Sequence, residues 1–235
     1  MAALSQENRD KLALARANVE NLSNSLPSVV DPASISYEAK IPYKVLVFRE
    51  AILWRTEELA RCSCDLIESG NICSALVLIR AATENAAALI YLADFMADSI
   101  ERGLPPDADD KAMSLLMGHK SWDEMPKAIN VLTMLRKAEK VAPLIGEVYA
   151  DLCEYSHPNW AGTAGLFSQH DREQILTNLG KCPSGIDRPA TMGLAALLGA
   201  IELVIYAYNK AADMMSDFIG VCEAALPEAN VDAEG

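Results

Sequence analysis

From Asn71 to Ala93 the chain carries only two charged residues, Arg80 and Glu84, in a run of Ala, Leu, Ile and Val without Gly or Pro. This run predicts the most buried helix of the chain, about Ile72 to Glu101, stopped by Gly103-Leu104-Pro105-Pro106. Its alanines let neighbouring helices approach closely, and the whole composition repeats that choice. Hydrophobic residues make up 51% of the chain and aromatics only 6%, so small aliphatic side chains must fill the core. Helix-on-helix packing suits such a palette.

The remaining pattern predicts an all-α antiparallel bundle of about six to seven helices with a small β-hairpin or irregular insert after Pro158. Residues 1–42 read as an N-terminal helix, about Ser5 to Asn24, and a Pro- and Ser-containing connector. Residues 43–225 read as the main helical domain, with the insert at about 157–188, and 226–235 as a disordered acidic tail. In the helix predicted from Tyr43 to Glu68, Phe48, Ile52, Leu59, Cys62 and Leu66 share an inward face. Glu50, Glu57, Arg61, Asp65 and Glu68 share the outward one. Shorter helices are expected near Asp107–Met117, Trp122–Lys140 (with Ser121 and Glu124 at capping-box spacing) and Ala142–Ser156. Four glycines then punctuate the insert, where Leu166–His170 is expected to pair with Gln174–Asn178. Asp187 is expected to cap a last long helix from Pro189 to about Val221.

Ala190 to Tyr208 holds a single charge, Glu202, and approaches a membrane-spanning length. Glu202, Tyr206, Lys210, Asp213 and Asp217 nevertheless repeat at helical spacing, which predicts one wet face on a bundle helix rather than a membrane span. The N-terminal residues have no apolar core of a signal peptide, so a cytoplasmic, reducing location and six free thiols are expected.

Twenty basic residues against thirty-three acidic ones leave a net charge of −13. A chain this acidic has no general affinity for DNA backbones or anionic membranes. Cys62 and Cys64 point to different helix faces, and Glu154 and His157 match half of a di-iron spacing without the required second copy. No metal or cofactor is therefore expected. Motifs for phosphate loops, dinucleotide folds, zinc proteases and nucleophile elbows are absent.

Two places concentrate chemistry. Arg80 and Glu84 lie four apart on the apolar helix, either as an intrahelical ion pair or as charges lining a cleft. Tyr155-Ser156-His157-Pro158-Asn159-Trp160 closes another helix where Pro158 forces the backbone out of helical geometry. His157 there is either a helix-end histidine favoured by the dipole or an acid/base group. Tyr149, Tyr155, Ser156, Asn159 and Trp160 complete the candidate ligand-binding set, Asn159 and Trp160 also reading as turn and packing residues.

Leu76-Val-Leu-Ile-Arg-Ala-Ala-Thr-Glu-Asn85 resembles the Leu/Arg/Glu helix of a group of uncharacterised bacterial helical proteins. Tyr149-Ala-Asp-Leu-Cys-Glu-Tyr-Ser-His-Pro158 is similar to the Ser-His-Pro segment of the same group. That group looks related to the HEPN superfamily of helical bundles, whose members include toxin and phage-defence ribonucleases. The resemblance spans roughly Tyr43 to Gly180. It implies a homodimeric binding module of bacterial stress or defence with a protein or RNA partner, or a metal-independent ribonuclease. Where catalytic members carry an arginine before the histidine, this chain has Ala150, Asp151 and Leu152. Only His157 carries over. In the ribonuclease alternative, Arg80 supplies the missing cation, Glu84 orients it and His157 acts as acid or base.

Overall fold

Helix α3 (Ile72–Arg102) is the axis of the fold and, as its charge-poor run anticipated, deeply buried. Ile79, Ala82, Ala86, Leu89, Leu92 and Met96 on it are fully buried. Gly103, in the left-handed region at φ 86°, ends the helix at the predicted stop. Around α3 the computed structural model, which describes residues 4–227, arranges α1 (Gln6–Asn24), α2 (Ile41–Glu68), α4 (Ala108–Met117), α5 (Val131–Ala138) and α6 (Ile145–Ser156). The insert holds α7 (Ala164–Phe167), β1 (Ser168–Asp171) and β2 (Leu176–Leu179), and α8 (Asp187–Asp213) and α9 (Met215–Ala224) complete the chain. The protein is an all-α bundle with one small hairpin. Most of the expected tail, 228–235, lies outside the described residues.

Helix α8 is the chief partner of α3, followed by α2, α5 and α6. Leu194, Leu197, Ile201 and Val204 face inward from it, and Gly193 leaves room for the side chains of α3. A Cβ at Gly193 would come 2.9 Å from Leu76 Cδ2. Helices α3 and α8 are, among the described residues, the two long and apolar enough to cross a membrane; here they pack against each other, with 67% of the apolar stretch of α3 and 50% of that of α8 buried. Glu202, Tyr206, Asp213 and Asp217 form an exposed stripe, as their spacing anticipated.

Several expectations are corrected. The inward face of α2 is rotated. Leu53, Ala60, Cys64 and Ile67 are buried, and so are Glu50 and Glu57, whereas Phe48, Ile52, Leu59, Cys62 and Leu66 are only half-buried. The helix is covered by α1, α3, α4 and α8, so one apolar stripe cannot serve all sides. Its buried polar groups have partners. Arg49 meets Glu50 at 2.6 Å, Tyr208 donates to Glu50 at 2.8 Å, and Asn85 donates to Thr56 at 3.0 Å.

The helix expected from Trp122 starts only at Val131, behind the Asn130 side chain, which accepts from the Leu132 amide. Upstream, the His119 amide donates to the Pro126 carbonyl at 2.8 Å and fixes a loop instead. The helix expected from Ala142 likewise begins at Ile145, leaving Leu144 exposed. The last helix divides at Met214, and this break together with the short α7 brings the described residues to nine helices.

The hairpin exists with a shifted register, Gln169 opposite Asn178 and His170 opposite Thr177. Leu166 belongs to α7 rather than to the first strand. Asp187 is not a side-chain cap. Its carboxylate accepts the Ser5 amide at 2.7 Å and the Asn8 side chain at 2.9 Å, tying α1 to the start of α8.

Candidate functional site

Arg80 and Glu84 meet through α6. The Arg80 guanidinium donates to the Tyr149 hydroxyl at 2.9 Å, that hydroxyl donates to Glu84 at 3.0 Å, and the two charges stand 3.2 Å apart. Arg80 also lies over the Tyr149 ring, 5.2 Å from its centre. The Tyr149 hydrogen bond is the main influence raising the Arg80 pKa. Burial pushes the Tyr149 phenol above its usual value, with Arg80 opposing and Glu84 reinforcing the rise. One donor is left over: Nε of Arg80 is buried and makes no hydrogen bond.

His157 is not joined to this network by any hydrogen bond or ion pair. It lies two helical turns beyond Tyr149, about 12 Å along the helix axis, and tyrosine side chains on a helix lean back towards its N-terminus. His157 is exposed, with extended backbone (φ −95°, ψ 152°) before Pro158, and its amide closes the helix on the Cys153 carbonyl at 3.1 Å.

The neighbours of His157 shape the turn. Ser156 spends its hydroxyl on the Leu152 carbonyl at 2.8 Å. Asn159 donates to Glu154 and accepts the Gly162 amide at 3.1 Å, so it acts as the turn residue that its alternative reading described. Gly162 sits where a Cβ would stand 2.2 Å from the His157 carbonyl oxygen, a space only glycine can occupy. This tight turn throws Trp160 outward, 77% exposed.

Beyond the turn the insert folds back over the start of α8 and encloses a cleft of about 590 Å³. Tyr155 reaches it from α6 and Trp160 from the turn. His170 enters from β1, Cys182 and Ser184 from the following loop, and Arg188 from the first turn of α8. Of the candidate ligand-binding residues, Tyr155 and Trp160 line the cleft, while Tyr149, Ser156 and Asn159 do not. Burial pushes the Cys182 thiol up, and nearby Cys73 adds to the rise, so it stays uncharged at neutral pH. Cys182 also adopts a left-handed backbone at φ 46°, uncommon outside glycine.

His170 and Arg188 were not among the sequence candidates. His170 lies on the hairpin and joins Tyr155 and Trp160 in one cleft only once the insert folds back. Arg188 did leave a signal: a cation in the first turn of a helix opposes the helix dipole, so it contributes nothing obvious to the helix itself. No family model, curated protein or solved structure matches this chain.

Proposed function

We propose that the protein is a non-catalytic helical binding module, and that the cleft between the α6 turn, the hairpin and the start of α8 holds its ligand. The observation that carries this reading is the cleft itself. A tight turn that tolerates only Gly162, an exposed indole and a folded-back hairpin together enclose a volume within the roughly 300–1,000 Å³ usual for small-molecule sites. The HEPN-like resemblance, the homodimeric state and a cytoplasmic role in bacterial stress or defence belong to the same proposal. In that setting the ligand would regulate a protein or RNA partner.

A metal-independent ribonuclease is the second reading, favoured by the buried and unbonded Nε of Arg80. Against it, Arg80 is committed to Tyr149 and Glu84, and His157 lies two turns away. Expression of the wild type, His157→Ala and Arg80→Ala in bacteria separates the readings. The binding module leaves growth and total RNA intact in all three. Arrest and cleavage by the wild type alone would establish the nuclease.

The binding reading itself is tested by thermal denaturation against a panel of small cellular metabolites. A ligand at a hundred times its Kd stabilises by about 2.7 kcal/mol, a shift of several degrees. At least one compound should raise the Tm of the wild type and fail to do so for Trp160→Ala. A panel without effect would overturn the reading.

A further inference from the structure

The cavities of this acidic protein differ in charge. The cleft at the far end of α3 carries Asp94 and Asp98 beside its lysines, the one along α1 carries Glu20 and Glu57, and the apolar groove between α6 and α8 carries Asp151. The cleft at the α6 turn has no carboxylate in its wall, although the chain bears a net charge of −13. It has an arginine instead. Arg188 makes no ion pair or hydrogen bond within the described residues, and the carboxylate nearest to it in sequence, Asp187, is occupied by Ser5 and Asn8. The Arg188 guanidinium therefore keeps its planar fork of donors for something outside the protein. The same cleft is lined by the exposed indole of Trp160, the ring of Tyr155 and His170.

We infer that the cleft takes a small organic anion bearing a flat ring. Arg188 pairs with its phosphate or carboxylate oxygens, and Trp160 covers the ring. This deepens the binding reading above and rests on it. A two-ring acid fits within about 590 Å³. A guanidinium matches an oxyanion bidentately, and indole offers the broadest stacking surface of any side chain. The general field of the protein repels anions, so recognition must be short-ranged and local.

Calorimetric titration of the full chain with three probes tests this: 2-naphthyl phosphate, the uncharged 2-naphthol and inorganic phosphate. The phosphate ester should bind tightest. Arg188→Gln should weaken the ester about tenfold, the loss expected for one charge-assisted hydrogen-bonded pair, and leave 2-naphthol unchanged. Trp160→Ala should weaken both ring compounds. Arg188 has no structural partner to lose, and matching circular dichroism and Tm would show that the variant is folded. Equal binding of 2-naphthol and its phosphate, or an unaltered Arg188→Gln titration, would overturn the anion assignment while leaving the cleft a binding site. No binding of the ester at millimolar concentration would overturn the assignment too, and the metabolite panel separately decides whether the cleft binds anything.

Discussion

The hydroxyl of Tyr149 accepts a hydrogen bond from Arg80 at 2.9 Å, so the arginine within the apolar run of α3 is held by a tyrosine of α6. The same hydroxyl donates its proton to Glu84, so both charges of that run are satisfied at once. Replacing Tyr149 by Phe removes two hydrogen bonds to charged groups and keeps the ring. We expect a loss of about 1–2 kcal/mol in urea unfolding. An unchanged midpoint would mean that the ion pair alone holds the two charges.

The same phenol sets an alkaline limit. Its folded pKa lies above the ordinary 10.0, so the folded protein holds this proton more tightly than the unfolded chain. The stability it contributes is complete below pH 10 and is lost as pH rises through the folded value. Melting temperatures measured above about pH 9 should fall less steeply for Tyr149→Phe than for the wild type. Parallel slopes would contradict this, Tyr208 supplying the shared remainder through its own raised pKa.

At the other end of the scale, the Ser5 amide and the Asn8 side chain hold the Asp187 carboxyl below its ordinary 3.8. A depressed carboxylate contributes stability that is present above its unfolded pKa and lost as pH falls through its folded value. Asp187→Asn should therefore show a shallower loss of stability below about pH 4 than the wild type. Asn8→Ala should do likewise, since it removes a donor to the same carboxylate. Because Asp187 also starts α8 beside Arg188, both variants should loosen the cleft, read as faster amide exchange at 186–191.

Gly162→Ala drives a methyl group into the carbonyl oxygens of His157 and Tyr155, 2.2 and 2.8 Å from the new atom. Backbone must move to admit it, at a cost of about 1–3 kcal/mol. Thermal unfolding measures that cost. The same variant should lose any ligand whose binding depends on Trp160, because the turn that positions the indole opens. Wild-type stability with wild-type binding would show that the turn is pliable.

Much of this architecture was legible before any coordinates, for reasons that can be named. Helix α3 announces itself because a long apolar run with only two charges leads into a helix stopped by Gly103 and two prolines, and the exposed stripe of α8 because its polar residues recur at helical spacing. The faces of α2 differ from the local pattern since a helix packed on several sides buries Glu50 against Tyr208 of α8 and Glu57 beside Arg61 of its own helix. The loop from Gly118 to Asn130 hides from local rules because the His119–Pro126 hydrogen bond, not the capping box at Ser121, decides it. Nothing in sequence marks the break at Met214. The candidate site divided in the same way. Tyr155 and Trp160 were visible from a proline-broken helix end, whereas His170 and Arg188 join them only through the folded insert.

The protein contains three tryptophans, and the structure gives each a different setting. The Trp54 indole donates to the Pro27 carbonyl at 2.7 Å, Trp122 stacks on His119 at 4.5 Å, and Trp160 stands open at the cleft. Their indole N–H resonances in a ¹H–¹⁵N spectrum, assigned by single Trp→Phe variants, form a built-in set of reporters. On titration with 2-naphthyl phosphate the account predicts a progressive shift of the Trp160 signal, with those of Trp54 and Trp122 unmoved. A shift confined to Trp54 or Trp122, or none at all, would contradict a site for ring-bearing anions at the α6 turn.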